Sequence, residues 1–104
     1  SETAQWVHKK HHWERNEFSL HHKGCHYIID RTFLDQDTFY IIDYKFPQSD
    51  IPRYILEQRY KEQMKKYYDA LGEYHRAQYP NSIIKTAIYL PLEDQLFYIT
   101  HNQD

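Results

Sequence analysis

Cysteine occurs once in 104 residues, at Cys25. No internal disulfide framework can form, and a reducing cytoplasm is the expected compartment. Glycine is almost as scarce, with two copies, Gly24 and Gly72. That leaves no glycine-rich loop to cradle nucleotide phosphates, so no ATP site is expected in this chain. No apolar stretch approaches the ~18 residues of a membrane span, and none near the start has the form of a signal-peptide core. A membrane partner is therefore not expected. Nor does one charge dominate: 13 Lys and Arg against 15 Asp and Glu leave a formal −2. This argues against a wholesale basic nucleic-acid binder but leaves room for local patches. Internal repeats and low-complexity tracts are missing too.

What is present is an apolar content of 40% that leans on eleven tyrosines, which supply burial and a polar tip together. The length suits one domain over residues 1–104, with roughly two-thirds of the unfolded chain's surface removed from water on folding. A short helix or irregular lead-in is expected from about Thr3 to His12. Partial alternation predicts a strand from Trp13 to His21, turned by Lys23-Gly24, and further strands follow at about Cys25–Leu34 and Thr38–Phe46. These three make an antiparallel meander. Pro47 to Pro52 is rich in turn residues, and Asp50 or Ser49 could cap a helix with Pro52 in its first turn.

That helix should run from about Pro52 to Gln78, with Leu56, Tyr60, Gln63, Tyr67, Leu71 and Tyr74 on one stripe and Gly72 as a weak point costing about 1 kcal/mol against alanine. Tyr79-Pro80-Asn81 stops it. Strands at Ile83–Leu90 and about Leu96–Thr100 complete the chain. A helix between a hairpin and a further strand lets that strand return to the same sheet. The expected class is α/β (α+β): a mixed sheet made of a meander, a crossover helix and a returning strand, with the long helix packed on it.

Tyr27 to Phe46 poses the chemical question, because each of two apolar strands carries an aspartate. A turn centred between Gln36 and Asp37 pairs Asp30 with Asp43. Side chains directly opposite in an antiparallel pair have Cβ atoms ~4.5–5.5 Å apart, and two like charges there are destabilising by up to about 1 kcal/mol unless neutralised. A divalent cation would neutralise them. Period-2 alternation adds Lys45 to the face of Asp43. A one-residue slip of register would send one aspartate to the other side.

The run Ile29-Asp30-Arg31-Thr32-Phe33, then Tyr40-Ile41-Ile42-Asp43-Tyr44-Lys45, then Gln63-Met64-Lys65-Lys66-Tyr67 resembles the PD-(D/E)XK nuclease superfamily. Within it the likeness is to the RecB-like nuclease domain at the C-terminus of UvrD/AddA-type (exodeoxyribonuclease V beta-like) helicase-nucleases. Ala87 to Leu92 resembles the strand that closes such domains, and the likeness spans about Glu17 to Phe97. It implies a restriction-endonuclease-like core and a Mg²⁺- or Mn²⁺-dependent deoxyribonuclease of exonuclease type, acting in DNA end processing, repair and recombination. Asp30 and Asp43 would hold the metal with the Tyr44 backbone carbonyl, and Glu17 is a weaker candidate ligand. Lys45 would orient or deprotonate the attacking water and stabilise charge on the phosphate. Gln63 and Tyr67, one helical turn apart, would position the metal site and the DNA strand.

The implied partners are single-stranded DNA fed by a motor, helicase domains upstream in the same polypeptide, and a second nuclease or scaffold subunit. The family's earlier helix, with its further acidic or histidine ligand, has no convincing counterpart here. The chain is therefore expected to be a fragment that is weakly active or inactive alone. The alternative is a catalytically inactive nuclease-like domain that guides DNA or docks a partner.

Other features have plainer readings. His8, His11 or His12 could supply the missing ligand only by an alignment with no independent support. A zinc site lacks finger spacing. Cys25 reads as a packed small side chain, and Arg31 as a structural ion-pair partner before a phosphate contact. Lys61, Lys65 and Lys66 with Arg53 and Arg59 give the helix a basic face that either meets DNA phosphates or is simply solvated.

Overall fold

The computed structural model describes residues 1–48 and 50–101. Its elements in chain order are α1 Glu2–His8, β1 Trp13–His22, β2 Cys25–Asp35, β3 Thr38–Tyr44, α2 Arg53–Gln78, β4 Ile83–Leu90 and β5 Gln95–Ile99. The five strands form one mixed sheet in the order β1-β2-β3-β4-β5, giving a mixed α+β fold. Loop length explains the topology. Lys23-Gly24 and Gln36-Asp37 are two-residue connections, which can only return a strand antiparallel to its predecessor. Lys23 (φ 51°), Gly24 (φ 79°) and Gln36 (φ 58°) take the positive φ that such tight hairpins require. β3 and β4 are parallel, and the crossover that parallel pairing demands is α2.

The sheet separates two cores. On one face, Ile29, Phe39, Ile41, Ile88 and Phe97 pack against Leu56, Met64 and Leu71 of α2. On the other, Phe33, Ile42, Ala87 and Tyr89 pack against Val7 of α1, with Ala4 and Trp6 beside it. The short α1 holds its place because buried Arg31 reaches across to it. Arg31 Nε donates to the Val7 carbonyl at 2.6 Å and Nη2 to the Lys9 carbonyl at 2.9 Å, while Nη1 donates to Asn16 Oδ1 at 2.8 Å. The structural reading of Arg31 therefore fits its surroundings.

Several expectations need correction. α2 begins at Arg53 after an N-cap at Pro52 that makes no side-chain capping bond. Asp50 does not cap it, and Ser49 lies outside the described residues. The buried stripe of α2 comprises Leu56, Met64, Ala70, Leu71, Gly72 and His75, so it ends on His75 while Tyr74 is exposed. The packing surface has rotated by one residue because Trp13 and Phe39 offer His75 an aromatic slot, with ring centroids at 4.9 and 3.6 Å. β3 stops at Tyr44 where Phe46 had been expected, and the last strand starts one residue early at Gln95. Cys25 is exposed at the start of β2 instead of packed. No helix among the described residues is long and apolar enough to cross a membrane.

The feature that shapes the site is a change of phase in β1 and β2. Trp13 contacts Phe39 and His75 on the α2 face, while Asn16 meets Arg31 on the α1 face. Strict alternation would then send Phe18 and Leu20 to the α1 side, yet both pack in the α2-side core. β2 makes the same change, with Phe33 in the α1-side core and Ile29 in the α2-side core. The pairing register survives, since Asn16↔Arg31 and Phe18↔Ile29 flank the discontinuity without offset. One residue on each strand has therefore stepped out of the two-residue period, as in a bulge duplicated on both sides. Those residues are Glu17, whose φ is 49°, and Asp30.

Candidate active site

Asp30, Asp43, Lys45, Gln63 and Tyr67 meet on the α2 face of the sheet. The register Arg31↔Ile42 through Asp35↔Thr38 continues, one step further, to Asp30 opposite Asp43, as the hairpin's turn chemistry predicted. Here β2 departs from the ladder. Asp30 Oδ2 replaces a main-chain acceptor and takes the Tyr44 N–H at 2.9 Å. The Asp30 carboxyl also stands close enough to that of Asp43 to push its pKa upward. The next amide, Lys45 N–H, turns to β4 and donates to the Tyr89 carbonyl at 3.0 Å.

Asp43 is 4% exposed. Burial pushes its carboxyl up to about 6, and the neighbouring Asp30 carboxyl adds to this, while hydrogen bonding and attraction from Lys45 oppose it. Lys45 Nζ lies 2.8 Å from Asp43 Oδ2. At that distance the ammonium is the charged partner of the buried oxygen. Nζ also donates to Gln63 Oε1 at 2.9 Å and stands 4.2 Å from the centroid of the Tyr60 ring. Gln63 Nε2 donates in turn to the Tyr67 hydroxyl at 3.1 Å. Burial raises the Tyr67 phenol above its ordinary value, as do the charges of Asp43 and Asp30. The Tyr67 ring meets Tyr27 of β2 edge to face, 6.0 Å between centroids.

The i, i+4 spacing explains why Gln63 and Tyr67 act together: both lie on the helix stripe that faces β3. Tyr60, one turn earlier on that stripe, belongs to the same cluster, although the sequence places it only on the stripe and gives it no role in the site. Its spacing of three from Gln63 puts it on that stripe, but nothing in the stripe marks it as the neighbour of Lys45.

The donor set is oxygen throughout: two neighbouring carboxylates, one of them buried. Such a set could hold a hard divalent cation, with waters filling the remaining positions. Glu17 is exposed in β1, at the position where the β1–β2 register skips from Asn16↔Arg31 to Phe18↔Ile29. Among the described residues no three His, Cys, Asp or Glu side chains form a metal-ligating group, so Glu17 does not join the two aspartates in this arrangement. The N-terminal histidines do not supply a third ligand either. His8 contacts the rings of Tyr44 and Tyr89 on the α1 side. His11 stacks on Phe33 at 3.9 Å, and its Nε2 pairs with the Trp6 carbonyl at 2.9 Å. His12 is exposed.

The basic face of α2 is partly neutralised within the helix. Arg53 pairs with Glu57 at 3.1 Å, Lys65 with Asp69 at 2.8 Å and Lys66 with Glu62 at 3.9 Å. Lys61 and Arg59 are exposed.

No family model matches the sequence, and no curated protein matches it. The class of protein is thus given by the fold, a mixed five-stranded sheet between two helices with a cluster of two acids, a lysine, a glutamine and a tyrosine on one face.

Proposed function

We propose that this chain is a metal-dependent DNA nuclease module of the PD-(D/E)XK type, similar to the RecB-like domain of helicase-nucleases. The observation that carries the reading is the convergence of Asp30, Asp43, Lys45, Gln63 and Tyr67, from three motifs far apart in sequence, into one contiguous patch.

In this reading Asp30, Asp43 and the Tyr44 carbonyl hold Mg²⁺ or Mn²⁺. When bound, the ion acts as a Lewis acid on a phosphoryl oxygen and makes water a better nucleophile near neutral pH. The chain's own contribution is placement. Asp43, buried and already beside an ammonium, fixes where positive charge gathers. Lys45 presents its ammonium at the edge of the carboxylate pair, where it can hold a scissile phosphate and orient the attacking water. Gln63 fixes Lys45 through its carbonyl oxygen and is itself oriented by Tyr67. The substrate would be DNA delivered as a single strand by a helicase motor upstream in the same polypeptide, in the cytoplasm, with a second nuclease or scaffold subunit as a further partner.

The test is magnesium-dependent DNA cleavage by the full-length protein with Asp43→Ala or Lys45→Ala. Both substitutions should abolish cleavage without unfolding the domain, and intact cleavage in either would show that the roles are misassigned.

One observation favours a second reading. Lys45 already sits against Asp43, so the carboxylate has a cationic partner without any metal. A nuclease-like domain that has lost catalysis and guides DNA or docks a partner could keep this arrangement. Calorimetric titration with Mn²⁺ separates the two, since a catalytic site must bind the ion and Asp43→Asn must weaken that binding.

A further inference from the structure

We infer that Tyr60 is the positioning residue for Lys45, its ring forming the seat that holds the ammonium beside Asp43. The functional consequence rests on the nuclease reading, whereas the contact itself does not.

Lys45 follows the last residue of β3, where the chain leaves the sheet, and its four-carbon stem is flexible. Two contacts, Asp43 Oδ2 at 2.8 Å and Gln63 Oε1 at 2.9 Å, leave the ammonium free to swing about the line between them. The Tyr60 ring closes a third direction, with Nζ 4.2 Å from its centroid, inside the ~6 Å range over which an aromatic face attracts a cation. The ring is well placed for this because it does not move with the lysine. Tyr60 is packed against the core formed by α2 and the sheet, one turn before Gln63 on the same helix face. The side chain of Lys45 is 18% exposed, and partial removal from water strengthens the cation–ring attraction relative to a solvated pair. The contact uses the ring face, so the feature that matters at position 60 is an aromatic ring and not a hydroxyl.

This predicts a graded result in the full-length protein. Tyr60→Leu keeps an apolar side chain in the core but removes the ring. It should lower kcat about 10-fold, the effect of losing one cation–ring contact, with KM within about twofold of wild type. Tyr60→Phe keeps the ring and should hold kcat within about threefold. The direct readout is the NMR shift of the Lys45 ε-methylene protons, which a ring at this distance moves upfield in wild type and in Tyr60→Phe but not in Tyr60→Leu. The proposal is overturned if the wild-type protons show no upfield shift, or if Tyr60→Phe is as impaired as Tyr60→Leu. A wild-type protein that cleaves no DNA under any metal would sink the nuclease reading, and the shift comparison would still decide whether Tyr60 seats Lys45.

Discussion

His75 should make the domain's stability fall steeply in mild acid, and replacing it with phenylalanine should remove most of that fall. The side chain is 2% exposed. It is stacked on Phe39 at 3.6 Å and 10° and abutted by Trp13 at 4.9 Å and 87°. Its Nε2 is buried without a hydrogen-bond partner. Burial lowers its pKa from 6.5 to about 4, while in the unfolded chain it titrates near ~6.5. Between those values the unfolded state holds a proton that the folded state does not. Stability therefore rises with pH across the window and is lost as pH falls from about 6.5 toward about 4.

At ~1.36 kcal/mol per pH unit the full window is worth about 3 kcal/mol, of which about 2.5 kcal/mol is lost by pH 4.5. With so little of the ring in water, solvent screening takes little from that figure. Phenylalanine retains the stack and drops both the titration and the orphaned nitrogen. The assay is urea unfolding of wild type and His75→Phe at pH 7.5, 5.5 and 4.5. With an m-value of about 1–1.5 kcal/mol/M, the wild-type midpoint should fall by about 2 M more than the variant's. Parallel curves for the two proteins across that range would refute the argument, whatever their offset at neutral pH.

Asp43 should behave with the opposite sign. Its folded pKa of about 6 lies above the 3.8 of a free carboxyl, so its charge costs the folded state up to about 3 kcal/mol above pH 6, a cost absent below about pH 4. Asp43→Asn in chelator should therefore be more stable than wild type at pH 7.5 and equal to it at pH 3.5, as read by urea unfolding. That margin already includes the attraction to Lys45. Gly72→Ala should stabilise by about 0.5–1 kcal/mol, because a Cβ there meets Ile84 Cγ1 at 3.7 Å and Arg76 Nη1 at 3.9 Å, both ordinary contacts. Calorimetry should show Tm higher by a few degrees, and a lower Tm would mean the helix cannot take the methyl. Arg31→Leu leaves the Val7 and Lys9 carbonyls without their donor and should cost about 3 kcal/mol or more. Limited proteolysis should then cut within residues 1–12, and a resistant N-terminus would contradict the anchoring role.

The outline of the fold was readable because its strongest signals are local. Lys23-Gly24 and Asp35 to Thr38 could only be hairpin turns, and the long periodic run after Pro52 could only be a helix, so the meander, the crossover and the return follow in order. What was not readable depends on contacts between distant segments. Tyr74 and His75 differ by one position on a helix wheel, and only the slot between Trp13 and Phe39 decides which is buried. Cys25 looked like core because strands are usually half-buried, yet it sits at the exposed end of the sheet beside the turn. Pro52 became the N-cap with no side chain to satisfy the first amides, although Asp50 was near in sequence. In the site, the turn centre between Gln36 and Asp37 indicated Asp30 opposite Asp43 without excluding a one-residue slip, which the register ending at Arg31↔Ile42 decides, and alternation indicated Lys45. Tyr60 was not, because nothing in a periodic apolar stripe marks one member as the neighbour of an ammonium.

The double phase change at Glu17 and Asp30 is what lets the acid pair and the buried Arg31 coexist with Ile29 in the main core. In a strictly alternating β2, Arg31 and Ile29 would share a face and Asp30 would lie opposite both. The structure needs Arg31 on the α1 side, where it binds the Val7 and Lys9 carbonyls, and Ile29 on the α2 side, in the main core. Only a residue out of phase between them satisfies both demands, and that residue is Asp30. Its side chain takes over as acceptor for the Tyr44 N–H, so the break in the ladder leaves that amide satisfied. The anchoring of α1 and the packing of Ile29 in the main core are thus reconciled by one irregularity. Restoring strict alternation would have to sacrifice either the place of Ile29 in the main core or, together, the buried arginine and the convergence of the two carboxylates.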